Sequence, residues 1–104
     1  MRVFVYGTLK KGFHNHRLLE GCEFIGTRSV SGFTLIDLGA FPGMVASPGE
    51  VTGEVYEIDD ETLARLDQLE SEGSFYKRVK INIDGDDVST YLYMLPVVKP
   101  IFEW

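Results

Sequence analysis

Short runs of β-branched and aromatic residues, each closed by Gly, Pro or Asp, recur along this chain, and one segment replaces that rhythm with helical spacing. That combination directs the chain to an α+β fold, a small mixed β-barrel or strongly curved sheet with one main helix and short flanking helices. The first run, Arg2 to Tyr6 (RVFVY), meets Gly7 at once, the pattern of a buried strand broken where the backbone needs freedom. Further strand-like runs are Cys22 to Val30, Phe33 to Leu38, Val51 to Ile58, Phe75 to Ile83 and Val88 to Leu95. Between the first two, Thr8 to Asn15 reads as a loop, followed by a short helical segment from about Asn15 to Leu19 that Asn15 is placed to cap.

The main helix begins near Asp59 or Asp60, either of which can accept a bond from an N-terminal amide, and Glu61 favours the positive helix start. Leu63, Leu66 and Leu69 follow at helical spacing. The sequence holds no internal repeat, low-complexity tract or linker, so residues 1–104 are expected to form a single domain. Its tail, Pro96 to Trp104, is apolar enough to dock on the barrel or on a partner subunit.

Charge narrows the function. Ten Lys plus Arg against 16 Asp plus Glu leave a net charge of −6, which argues against nucleic acid as a partner, because such binding draws on cations that neutralise phosphates. No apolar run approaches the roughly 20 residues of a membrane span, and the first residues enter a strand without the layout of a secretory signal. Cys22, the single cysteine, cannot form an intrachain disulfide, so packing must hold the fold. A cytoplasmic protein, monomeric or weakly dimeric, without membrane attachment, is expected.

Two places can carry chemistry. At about 100° per residue, setting Leu63 at 0° puts Leu66 at about 300°, Glu70 at about 340° and Asp67 at about 40°. Both carboxylates therefore approach the apolar face, Glu70 more deeply. Desolvation and the negative end of the helix would raise its pKa, as suits a proton shuttle. Alternatively, the helix ends by Leu69 and Glu70 pairs with Lys77 or Arg78 at the surface. The second place is the turn Tyr6-Gly7-Thr8-Leu9, where amides beyond the last ladder bond can form a concave donor site for a carboxylate or oxyanion. An ordinary glycine turn is the alternative there. Gly7 and Gly12 have the spacing of a phosphate loop, but Phe13 and His14 stand where Lys and Ser/Thr are required, which excludes nucleotide binding.

His14 and His16 supply at most two metal ligands and diverge on a helix, so a capping or loop-pinning role is the better reading and no metal is expected. Cys22 has an acidic neighbour, Glu23, that would raise its thiol pKa, so a bystander is expected rather than a nucleophile. The strand aromatics, Tyr56, Tyr76, Tyr91 and Tyr93 among them, are read as core.

Taken together, VFVYGTLKKG with NHRLLEG, and GEVYEIDDETLARLDQLES with FYKR some 60 residues later, resemble the γ-glutamylcyclotransferase-like (AIG2-like) superfamily, most closely its γ-glutamylamine cyclotransferase branch. The resemblance covers nearly the whole chain and implies a small β-barrel with flanking helices. It places the family's catalytic glutamate on Glu70 and the substrate-binding turn on Tyr6, Gly7, Thr8 and Leu9. Ser71 stands where many members have Gly, and Gly73 where many have Pro. The implied reaction converts a small-molecule γ-glutamyl compound to 5-oxoproline and a free amine by intramolecular aminolysis, with no cofactor. A non-catalytic small-molecule binding or regulatory module on the same fold is the alternative, and a hydrolase using Cys22 is a third class.

Overall fold

The computed structural model describes residues 1–7, 9–37, 42–69 and 76–93. Among them, strands β1 (Arg2–Val5), β2 (Glu23–Asp37), β3 (Pro42–Glu57), β4 (Tyr76–Ile83) and β5 (Asp86–Tyr93) form one sheet in the order β2-β3-β1-β5-β4. β1 is antiparallel to β3 and parallel to β5, and the other two pairings are antiparallel. The mixed sheet with one main helix, α1 (Asp60–Leu69), is the α+β architecture the sequence led us to expect.

The run RVFVY explains why β1 is central. Val3 and Val5 enter one apolar cluster with Leu19, Tyr56, Ile58, Leu66, Tyr76 and Tyr91. Phe4 and Tyr6, pointing the other way along the pleat, enter a second with Val30, Met44, Val51, Val55, Ile83 and Val88. Ile25 of β2 and Ile81 of β4 also pack on this second cluster, although their strands stand at opposite ends of the ladder. The sheet therefore curls until its two edges share one core, barrel-like in shape while open in hydrogen bonding among the described residues.

The runs Cys22 to Val30 and Phe33 to Leu38 join as one strand, with Gly32 at φ +89° in the irregularity between them. β3 begins at Pro42 rather than Val51. Pro48 and Gly49 read as breakers, but the register slips from Ser31 opposite Glu50 to Phe33 opposite Ala46, and the hydroxyl of Thr34 donates to Pro48 O at 3.0 Å. This half of β3 pairs with β2 alone among the described residues, and an open strand side tolerates proline. The short helical segment is a 3₁₀ helix, His14–Leu19, that starts after Phe13, so Asn15 lies inside it and does not cap it.

In α1 the cap is Asp59, whose Oδ1 accepts the Thr62 amide at 2.8 Å. The hydroxyl and amide of Thr62 hold that carboxyl below its ordinary pKa. Arg65 pairs with Glu61 at 2.8 Å on the exposed side. Thr62 and Leu66 form the buried face and Leu63 packs at its margin, whereas Leu69, expected to be apolar-facing, is 39% exposed at the last position of the helix. Leu38, Phe75, Leu95 and the tail 96–104 lie outside the described residues.

Gly53 permits the crossing of β3 and β1. A Cβ there would collide with the carbonyl oxygen of Val5 and the ring of Phe4, and a backbone atom in a ladder cannot swing aside. Gly53→Ala is expected to cost about 1–3 kcal/mol. Urea denaturation checks this, and an unchanged midpoint would show that the strands can separate.

Candidate active site

Strand direction sets the site. β3 runs against β1 and finishes beside Met1, where the Ile58 amide donates to Met1 O at 2.8 Å. α1 starts almost immediately, and its 10 residues rise about 15 Å, close to the roughly 17 Å that five residues of strand cover. Helix α1 thus has the length to return along the sheet, and its Asp67 reaches Tyr91 of β5.

Tyr91 ties the two together. Its hydroxyl donates to Asp67 Oδ1 at 2.6 Å, and its carbonyl accepts the hydroxyl of Tyr6 at 2.7 Å. Arg78 Nη1 donates to Asp67 Oδ2 at 2.9 Å. The last turn of the helix is thereby fastened to β4, to β5 and, through Tyr91, to the residue that opens the glycine turn. Asp67 sits at the edge of the apolar face, as its place on the helical wheel requires, and each of its oxygens accepts a bond. Arg78, one possible surface partner for Glu70, has Nη1 on Asp67. Glu70 itself and Thr8 lie outside the described residues.

The backbone after β1 is held bond by bond. Gly7 O accepts the Lys10 amide at 3.1 Å, and Lys10 O accepts the Phe13 amide at 3.0 Å. Leu9 buries its side chain and gives its carbonyl to His16 Nδ1 at 2.9 Å. A carbonyl only accepts, so His16 carries its proton on Nδ1. The Lys11 amide donates to Glu54 Oε1 at 2.9 Å, which also accepts the Tyr56 hydroxyl at 3.0 Å. Burial, with help from Glu54, pushes the Tyr56 phenol up to about 12. The carbonyls of Gly7, Leu9 and Lys10 are thus all satisfied within the protein, which suits a turn that presents positive potential outward. Lys10 and Lys11 add cations beside it, their ammonium groups 5.6 Å and 4.7 Å from the Phe13 and Phe24 ring centroids.

Of the residues singled out from the sequence, Tyr6 is linked to α1 through Tyr91, Leu9 shares the apolar cluster of Leu66, and Gly7 lies between them in the chain. His16 pins the loop, while the side chain of His14 lies outside the described residues. The half-buried Cys22 has its sulfur 4.0 Å from the hydroxyl of Thr62. Among the described residues no three of His, Cys, Asp or Glu are grouped to hold a metal, and no helix is long and apolar enough to cross a membrane. A solvent-open cavity of about 100 Å³ lies elsewhere, lined by Ile25, Arg28, Val55, Ile83, Asp84, Asp86 and Val88. Sequence reasoning read Tyr91 as core packing and did not find its link to Asp67 and Tyr6. The available signal was the phenol itself, since a buried tyrosine hydroxyl needs a partner.

Comparison with known proteins shows the family and the fold. The model of the family described as "Gamma-glutamyl cyclotransferase, AIG2-like" matches residues 3–101. The gamma-glutamylcyclotransferase family protein YtfP of Escherichia coli K12 is 39% identical over 97 residues, covering 93% of this chain and 86% of that protein. An uncharacterised protein, PH0828, of Pyrococcus horikoshii superposes with a TM-score of 0.81 at 32% identity, covering 89% of this chain and 77% of its own. A mouse AIG2-like protein superposes with a TM-score of 0.77 at 33% identity, covering 95% and 79% respectively.

Proposed function

This chain belongs to the gamma-glutamyl cyclotransferase, AIG2-like family, and on that premise we propose that it is a cyclotransferase that converts a γ-glutamyl amine or related γ-glutamyl compound to 5-oxoproline and a free amine in the cytoplasm. The observation that supports this reading is the Tyr91 bridge, which joins the last turn of α1 to Tyr6, the residue that opens the glycine turn.

In the reaction, the α-amine of the substrate attacks its own γ-carbonyl. The nucleophile belongs to the substrate, so the protein must hold a bent conformer, move protons and stabilise negative charge. Glu70 takes a proton from the attacking ammonium and returns one to the departing nitrogen. The turn Tyr6, Gly7, Thr8 and Leu9 cradles the substrate, its amides facing the α-carboxylate or the developing oxyanion. Both oxygens of Asp67 are already engaged, by the Tyr91 hydroxyl and by Arg78 Nη1, so the proton-carrying role is assigned to Glu70.

Incubation with a panel of γ-glutamyl amines and γ-glutamyl dipeptides, read by mass spectrometry, is expected to yield 5-oxoproline and equimolar amine. Glutamate in place of the lactam would point to hydrolysis. Binding without turnover across the panel would identify a non-catalytic module.

A further inference from the structure

We propose that Glu54 and His16 are positioning residues that clamp the backbone from Leu9 to Lys11, which leads out of the glycine turn, so that the turn keeps a single geometry toward its ligand. The inference rests on the turn being the substrate cradle, and it concerns how that cradle stays preorganised.

Glu54 stands opposite Val5 in the register of β3 and β1, so its carboxylate emerges level with the turn. Oε1 receives the Lys11 amide, and the nearly buried Tyr56 fixes the same oxygen from behind. On the other side, His16 is delivered by the 3₁₀ helix, which Leu19 anchors in the core at 1% exposure. The imidazole rests 5.6 Å from the Tyr56 ring and donates to Leu9 O. Two consecutive peptide units, Leu9–Lys10 and Lys10–Lys11, are therefore gripped from separate elements. This loop includes Gly12, at φ +95°, and would otherwise have many conformations to choose from. Fixing donors before the ligand arrives removes an ordering cost from binding and from the transition state.

Glu54 acts here through the acceptor oxygen and not through its charge. Glutamine retains that oxygen and can accept both bonds, whereas alanine cannot. Glu54→Ala and His16→Ala should each lower kcat/KM for 5-oxoproline formation by about tenfold to a hundredfold. Glu54→Gln should remain within about threefold of the parent, since both accepted bonds survive. Amide hydrogen exchange at Lys11, followed by NMR, should accelerate about tenfold or more in Glu54→Ala and recover in Glu54→Gln. Thermal melting of each variant separates this local effect from global loss of the fold.

Equal loss of turnover in Glu54→Gln and Glu54→Ala would overturn the inference and assign a charged role to Glu54. Unchanged Lys11 exchange in Glu54→Ala would overturn it as well. If the parent protein makes no 5-oxoproline with any γ-glutamyl compound, the cyclotransferase function fails, and the exchange measurement still decides whether the clamp exists.

Discussion

Glu70→Gln is expected to lower the rate of 5-oxoproline formation by about 10²-fold or more, the usual contribution of a positioned general acid or base. Glutamine matches the size of glutamate and keeps hydrogen-bonding capacity, so substrate should still bind and most of the loss should fall on kcat. The thermal midpoint should hold or rise, because a carboxylate that turns toward an apolar helix face costs desolvation whenever it is charged. This pairing of outcomes separates a catalytic group from a structural one. A glutamate that served only to pair with Lys77 at the surface would give full turnover, and so would a protein whose proton carrier was Asp67. A folded Glu70→Gln variant at parental rate therefore removes Glu70 from the mechanism.

Leu66→Ala should produce the largest loss of stability, about 2–5 kcal/mol. Leu66 is completely buried, and its cluster holds Val3 and Val5 of β1 together with Leu19, Tyr56, Ile58, Tyr76 and Tyr91. Alanine would leave a cavity where α1 meets the sheet, and the surrounding strands can collapse on it only partly. For a domain of about 100 residues, each kcal/mol shifts the thermal midpoint by about 4–8 °C, so the change is readily seen by calorimetry. Activity measured well below the lowered midpoint should also fall, since the same contact seats the helix that carries Asp67 beside Tyr91. A loss under about 1 kcal/mol would mean that the helix is held chiefly by its polar bonds.

How much the sequence made legible differs from element to element. RVFVY marked β1 as buried because apolar residues at consecutive positions have no solvent face to occupy. Helix α1 was legible from its cap and leucine spacing, and Asp59 accepts the amide bond that its side chain invited. The first half of β3 was not legible. Pro48 and Gly49 are local breakers, and what admits them is a register slip against β2, a neighbour brought in from more than ten residues away. Likewise Asn15 has a capping side chain, but the 3₁₀ helix begins one residue earlier, where Phe13 leaves the loop.

The candidate site divides in the same manner. The turn Tyr6-Gly7-Thr8-Leu9 and the carboxylate Glu70 came from local signals: a glycine at the end of a strand, and the periodicity of one helix. By itself the sequence determined the α+β class, a buried first strand, the main helix and the family that the motifs resemble, because each is read from short local runs of residue pattern. Only the tertiary structure decided that Tyr91 would join Asp67 to Tyr6, and that Glu54 and His16 would grip the loop between Leu9 and Lys11. Those bonds span from 7 to 85 positions of sequence. They exist because the order of the strands brings polar groups distant in sequence to one end of the sheet, where burial obliges the Tyr6 hydroxyl to find a partner and proximity lets the more exposed groups pair.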